Sequence, residues 1–294
     1  MTQIRNLENA SPEQIKALQS KELEILKYLK KICEDNGLCF FLGGGSSIGA
    51  IRHKGFIPWD DDVDVFMPRK DYEILYENWN RYSTNHKYDL CRSDLKHNYR
   101  HAAMTINDNT TTFINFRTAD EDVNQGIAVD IIPIDYLANQ PVSRLVQRIN
   151  AILFSVFINQ RLPDNQGTLL HFLTWLPLSI IKSPKARYRI WHHCEQKMIK
   201  YSLRGGSEMV ELVTGLKAIF RPLNSEWFEK TIYKEFEDTE MPVPIGYDAY
   251  LTLIFGNYME FPPMETRKAK HHTSMIDTEV PYKEYKGKYY LNKK

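Results

Sequence analysis

Ahead of Asp60-Asp61-Asp62-Val63-Asp64 the chain carries the glycine-serine run Gly43-Gly44-Gly45-Ser46-Ser47, and apolar runs flank the pair. Phe40-Phe41-Leu42 reads as a buried strand feeding a tight turn, and Val63-Asp64-Val65-Phe66-Met67 reads as a second strand. Side chains two apart on a strand share a face, so Asp62 and Asp64 are expected to project together while Val63 and Val65 turn to the core. Two carboxylates on one face, ~7 Å apart along a strand, repel each other unless a cation lies between them. Hard oxygen ligands of this kind suit Mg²⁺ or Mn²⁺. Backbone N–H groups at a glycine turn leading into a helix form an anion site, with Ser46 and Ser47 as candidate hydroxyl donors. Both features point to metal-assisted chemistry on a nucleotide's phosphates.

Competing readings fail at particular residues. Asp60, Asp62 and Asp64 match the first three ligand positions of an EF-hand, but Val65 stands where the turn glycine belongs and Pro68 interrupts the loop. The glycine run lacks the lysine of a P-loop and does not fit G-x-G-x-x-G. A merely solvated acidic turn is at odds with Val63, Val65 and Phe66 around it. Further along, Asp130 is the lone charge in the apolar strand Ile127 to Ile134. A buried strand carboxylate needs a cation or a donor to offset its desolvation, so a metal role and a structural salt bridge both stay open. Asp135, beyond Pro133, reads as a helix or turn cap.

The stretch from Leu42 to Tyr72, with Gly-Gly-Gly-Ser-Ser, Ile-Arg-His-Lys-Gly-Phe-Ile-Pro-Trp and the acidic cluster in order, closely resembles the signature of the LicD family. That family includes bacterial phosphocholine transferases of cell-surface glycans, and its signature also occurs in the eukaryotic fukutin and fukutin-related proteins. The resemblance continues in Gly126 to Asp135, Pro242-Val243-Pro244, Tyr250-Leu251, Phe255 to Met259, Pro262-Pro263 and His271-His272. It implies a nucleotidyltransferase-like fold with metal ligands Asp62, Asp64 and Asp130 and a phosphate-binding turn of Gly44, Gly45 and Ser46. Asp60 and Asp61 then become orienting groups. Arg52, His53 and Lys54 fall inside the signature as a positive cluster able to meet donor phosphates. Of the C-terminal pair, His272 is taken as the candidate for an acid-base or phosphate contact. Ser46-Ser47 stands where many members have Thr-Leu, and Phe255 replaces a more usual tyrosine; neither touches the acidic triad.

The implied reaction is an in-line phosphoryl transfer using Mg²⁺ or Mn²⁺. The implied donor is CDP-choline or a related CDP-alcohol, and the implied acceptor is a lipid-linked glycan precursor of teichoic acid, lipopolysaccharide or capsule. A quaternary ammonium favours an aromatic cage, for which Trp59, Tyr72 and Tyr258 are the nearby aromatics, with no ground for choosing among them. Two alternatives stay open: a same-fold transferase using another CDP-alcohol or a nucleotidyl donor, and a non-catalytic nucleotide-binding scaffold of glycan assembly.

Length and composition are compatible with this. At 294 residues and 43% hydrophobic, the chain is expected to form one α+β domain over residues 1–294, a mixed β-sheet flanked by helices, with a mainly helical insertion at about 141–221. A net charge of +1 argues against a nucleic-acid surface. Cys33, Cys39, Cys91 and Cys194 show no metal or disulfide spacing and read as reduced thiols. Ser11-Pro12-Glu13-Gln14 marks a helix start and Gly37 its stop. A second helix is expected over Asp71 to Tyr82, and two or three strands over Tyr88 to Ile114. Met1 to Asn9 is polar and reads as no signal peptide, so a cytoplasmic protein is expected.

Leu145 to Ile158 and Leu169 to Ile181 are too apolar for one-faced helices yet shorter than the ~18 to 20 residues of a membrane span. Burial in a core is one account. The other is peripheral contact with the inner membrane surface through Arg144, Arg148, Lys182, Lys185, Arg187 and Arg189.

Overall fold

The computed structural model describes residues 3–5, 7–160, 168–269 and 271–292. In chain order the elements are β1 (Gln3–Ile4), α1 (Pro12–Asn36), β2 (Phe41–Leu42), α2 (Gly44–Ile48), β3 (Asp64–Pro68), α3 (Arg69–Tyr82), β4 (Tyr88–Cys91), β5 (Met104–Asp108), β6 (Thr112–Asn115) and β7 (Ile127–Tyr136). There follow α4 (Pro141–Asn159), α5 (Thr168–Ile180), α6 (Pro184–Ser202), β8 (Glu208–Val210), α7 (Leu216–Ile219), β9 (Leu223–Asn224), β10 (Thr231–Phe236), β11 (Thr239–Pro244), α8 (Tyr247–Phe255) and β12 (Thr273–Asp277). The fold is α+β. Its chain divides into two compact units, Met1–Cys91 with Thr105–Ile132 and Glu226–Lys294, and Arg92–Met104 with Pro133–Ser225. The expected insertion at 141–221 falls within the second.

In the first unit, α1 starts on a capping box. The Ser11 hydroxyl accepts the N–H of Gln14 while the Gln14 side chain accepts the N–H of Ser11, and Pro12 occupies a position where its missing N–H costs nothing. It ends at Gly37, whose left-handed φ of 65° lets its N–H reach the carbonyl of Cys33. Ile15, Leu18, Ile25, Leu26, Leu29 and Ile32 recur at helical spacing and are buried. Gln19 and Glu22 lie in the same buried stripe.

The sheet that carries the glycine turn and the carboxylates runs β2-β3-β7-β5-β4. β2 and β3 are antiparallel, with Phe41 opposite Phe66 and Leu42 opposite Val65. A second sheet has the order β1-β12-β6, and β10 and β11 form an antiparallel hairpin. Where two or three strands were expected over Tyr88 to Ile114 there are three, the last ending at Asn115. Helix α3 begins at Arg69, directly after Pro68 and two residues ahead of the expected Asp71.

Two strand expectations need correction. Asp62 does not lie on a regular strand: β3 starts at Asp64, and residues 60–63 form an irregular segment. The start of this segment is pinned to α1, because the amide of Gln19 donates to the carbonyls of both Ile57 and Asp60. Asp135 is not a cap. β7 continues through Pro133, and Asp135 is a fully buried strand residue opposite Val210.

In the second unit, α4 and α6 pack through Ala151, Phe154, Phe157 and Ile158 of the one and Trp191, Cys194 and Met198 of the other. Strand β8 pairs with the end of β7 and with β9. Arg187 serves as an internal clamp, donating to the carbonyls of Leu178 and Ile181 and to the side chain of Gln160. It is thereby removed from any lipid-facing role. At 19 residues α4 is longer than its apolar run implies, and by length and composition it could cross a membrane. The side chains of residues 168–173, part of the second apolar run, lie outside the described ones. All four cysteines are free thiols.

Candidate active site

Every group of the candidate site belongs to the first unit. Its base is the junction of β2, α2 and β3. The N–H of Gly43 donates to the carbonyl of Asp64 at 2.8 Å, extending the β2–β3 ladder by one bond. Just beyond, the Ser46 hydroxyl accepts the N–H of Asp64 at 3.0 Å. The glycine turn and the acidic strand are therefore tied to each other at Asp64. Gly45 has a steric reason to lack a side chain: a Cβ there would stand 3.1 Å from Oδ2 of Asp60. At Gly49 a Cβ would meet the carbonyl oxygen of Gly55 at 2.5 Å, so the loop can return only past a bare Cα.

Asp130 comes to the same place from β7. Its N–H donates to the carbonyl of Val63 at 3.0 Å, so it sits beside the peptide that separates Asp62 from Asp64. Along this segment the half-buried residues are Asp62, Asp64 and Asp130, while their neighbours Val63, Val65, Val129 and Ile131 are buried. The electrostatics reflect the crowding. Burial pushes the Asp64 carboxyl well above the usual carboxylate range, and the charges of Asp62, Asp130 and Asp60 push it further.

A sixth carboxyl lies near Asp60, Asp61, Asp62, Asp64 and Asp130. Glu22 of α1 is 1% exposed, and its Oε2 has no hydrogen-bond partner. Burial raises its pKa strongly, with Asp62, Asp61, Asp60 and Asp130 adding to the shift. The concentration of carboxyls, one of them buried with an unpartnered oxygen, fits a divalent cation better than water alone.

His271 supplies a positive charge. Its backbone N–H donates to Oδ2 of Asp61 at 3.0 Å, and its ring Nδ1 lies 3.2 Å from the same oxygen. The bond to Asp61 raises the imidazole pKa to about 9 against the opposing effect of burial, so the ring is a cation at neutral pH. Ligand atoms of Asp61, Asp62 and His271 also lie within 4.8 Å of one another, a spacing that could hold a metal. An imidazolium donates rather than ligates, so His271 could ligate only by releasing its proton. Of the histidine pair it is therefore His271, not His272, that meets the acidic cluster; His272 is exposed.

The other expected groups divide. Among the turn residues, the Gly44 N–H is engaged with the Tyr250 hydroxyl at 3.3 Å. Ser46 accepts one bond and keeps its own proton to donate. Ser47 is fully buried and donates to the carbonyl of Leu42, which removes it as a phosphate donor. Arg52 binds the carbonyls of Tyr258 and Glu260 and donates from Nε to the ring of His53. His53 is held below its ordinary pKa by burial and by Arg52. Lys54 turns to Glu235 at 3.0 Å. Arg52 and His53 thus stay together while Lys54 leaves them, and Arg267 rather than Lys54 accompanies Arg52, with both guanidiniums about the ring of Phe261. Of the three nearby aromatics, Tyr72 and Tyr258 are buried, and Trp59 is half-buried.

Sequence reasoning missed Gln19, Glu22 and His271. For the first two a signal existed: they are polar residues at apolar-stripe positions of α1. His271 was visible only as one of a pair, and nothing local tells which member meets Asp61, 210 residues away.

The family described as LicD/FKTN/FKRP, nucleotidyltransferase domain, matches residues 37–143. The lipopolysaccharide cholinephosphotransferase LicD of Haemophilus influenzae is 31% identical over 258 residues, spanning 85% of this chain and 92% of that protein. The chain belongs to the LicD family. A shorter similarity, 42% identity over 48 residues, links it to the human ribitol 5-phosphate transferase FKRP, covering 16% of this chain and 10% of that protein. An uncharacterized protein of Rickettsia typhi shares 28% identity over 74 residues.

Proposed function

We propose that this LicD-family chain is a metal-dependent phosphotransferase that moves a phosphoalcohol, phosphocholine from CDP-choline, onto a sugar hydroxyl of a cell-surface glycan precursor. The observation that carries the reading is the bond from the N–H of Asp130 to the carbonyl of Val63, between Asp62 and Asp64, next to the point where Ser46 ties the glycine turn to β3. The similarity to a lipopolysaccharide cholinephosphotransferase over most of both chains supports the substrate class.

In this reading Asp62, Asp64 and Asp130 hold the cation, and Mg²⁺ or Mn²⁺ suits an all-carboxylate set. When bound, the ion lowers the pKa of the acceptor hydroxyl and neutralises charge on the donor diphosphate. Ser46 and the N–H of Gly45 face the donor phosphate oxygens. Asp61, fixed by His271, keeps the irregular segment in register with the strand. The acceptor oxygen attacks the phosphorus bearing the alcohol, a new O–P bond forms, and the bond to the bridging oxygen breaks. CMP leaves with that oxygen and its electron pair, and the hydroxyl proton is released.

The short similarity to a ribitol 5-phosphate transferase favours a second reading, in which the same cluster moves a different phosphoalcohol. Incubation with CDP-choline, CDP-ethanolamine, CDP-ribitol and CDP-glycerol, each with a glycan acceptor and Mg²⁺, separates the two by the mass of the product. Phosphocholine transfer is the expected result. Transfer of another group alone would move the chain to the second reading, and hydrolysis or no turnover with every donor would refute both.

A further inference from the structure

Helix α4 is apolar on two opposite sides. Ala151, Phe154, Phe157 and Ile158 face the core of the second unit. On the other side Val142, Leu145, Ile149 and Leu153 recur at helical spacing and are 76%, 57%, 46% and 38% exposed. A folded domain rarely gives four aliphatic side chains to water along one helix without a partner for them. Beside this stripe Arg148 rests its guanidinium 5.0 Å from the ring of Phe220, itself half exposed. The aliphatic part of such a side chain can lie along apolar surface while its charge reaches a polar layer.

The sequence of these helices is one-sided in charge. Residues 141–202 contain nine Lys and Arg and two Asp and Glu, a net +7 within a chain whose total is +1. Lys182, Lys185, Arg189 and Lys200 are exposed.

We propose that the outward face of α4, with the basic residues of its unit, docks on an anionic lipid bilayer. An apolar stripe flanked by cations is the pattern of a helix lying in the plane of a membrane interface. Spanning is a poorer fit, because the inner face is committed to α6 and because Arg144 and Arg148 lie within the helix. A second copy of the chain would set the exposed cations Lys182, Lys185, Arg189 and Lys200 against their own copies. Nucleic acid would leave the aliphatic stripe without a complement. The proposal is independent of the chemistry assigned to the acidic cluster.

Flotation of the full chain with vesicles tests it, using phosphatidylcholine alone and phosphatidylcholine mixed with phosphatidylglycerol. Binding is expected to the mixed vesicles at low salt and to be lost near 1 M salt, where the Debye length falls to ~3 Å. Two variants divide the surface: Leu145→Gln with Ile149→Gln, and Lys182→Gln with Lys185→Gln and Arg189→Gln. The triple change should weaken partitioning about a hundredfold, since each basic residue near the surface contributes roughly a factor of five. The double change should abolish stable binding, and circular dichroism checks that both variants keep their helices. Lack of binding to mixed vesicles at low salt overturns the proposal. So does equal binding to neutral vesicles, or binding that neither variant alters. Light scattering supplies one more adverse outcome: a wild-type dimer made monomeric by the double change, without vesicle binding, would make this face an interface between copies.

Discussion

His271 and Asp61 are joined twice, by the backbone N–H of the histidine at 3.0 Å and by its ring Nδ1 at 3.2 Å, both to a single carboxylate oxygen buried beside the acidic cluster. The pairing fastens the segment before β12 to the irregular stretch before β3. It also sets a cation next to at least four carboxylates before any metal arrives.

This pair should leave a pH signature. The folded-state pKa of His271 is raised to about 9, so its ionic contribution is fully present below the unfolded value of ~6.5 and is lost as pH rises through about 9. His271→Gln keeps a donor but loses the charge. In metal-free thermal melts the wild type should exceed this variant by a few degrees at pH 6, equivalent to about 1 kcal/mol for a partly exposed pair, and converge with it by pH 10. A difference independent of pH would show that the two residues are joined by hydrogen bonding alone.

Glu22 should behave in the opposite sense to a salt-bridged acid. Its folded pKa is raised, so no penalty exists below the unfolded value near 4.5, and one accumulates as pH rises and the buried carboxyl must either stay protonated or ionise beside other carboxylates. Glu22→Gln, which cannot ionise, should melt at least ~2 °C higher than wild type in the metal-free protein at pH 8, with no gain at pH 4.5. A variant less stable than wild type at pH 8 would show that the ionised carboxylate is held by attraction.

Ser46→Ala removes the acceptor for the Asp64 N–H. Leaving a largely buried donor unsatisfied costs roughly 1–3 kcal/mol, so the variant should lose stability by that amount in urea unfolding. Transfer should also fall, because the first residue of β3 loses its tie to the turn. Full activity in a folded Ser46→Ala protein would dissociate the two.

Much of this was legible in the sequence because it is local. The capping box of α1, its glycine stop, the glycine turn and the adjacent acidic run are set by residues within a few positions of one another. Asp130 stood out as a lone charge in an apolar run. The C-terminal histidine pair was visible, but which of the two reaches the cluster depends on how the chain enters β12, and that is a tertiary fact. Asp62 was expected on a regular strand because alternation cannot register Gln19, whose two bonds from α1 hold the chain at Ile57 and Asp60. Asp135 was misread because Pro133 looks like a terminator, whereas here β7 runs through it and pairs with β8 beyond. The basic run Arg52-His53-Lys54 looked like one phosphate clamp, yet Arg52 binds the carbonyl of Tyr258 and the ring of His53 while Lys54 turns away to Glu235.

Removing one carboxylate should separate stability from catalysis. Asp64→Asn relieves repulsion in the metal-free cluster, so the variant should melt at or above wild type without added cation. Under saturating Mg²⁺ its transfer rate should fall below about a tenth of wild type, since loss of metal-assisted catalysis costs several kcal/mol. Asp62→Asn should do the same. A variant that melts lower and transfers normally would take its residue out of the proposed ligand set.

The most direct test of the central claim is to follow CMP release and phosphocholine attachment together, with CDP-choline and a glycan acceptor, in wild type and Asp64→Asn, with Mg²⁺ and with the metal chelated. The account predicts one CMP for each phosphocholine found on the acceptor, in the wild type with metal only. Equal turnover after chelation, or in Asp64→Asn, would contradict it.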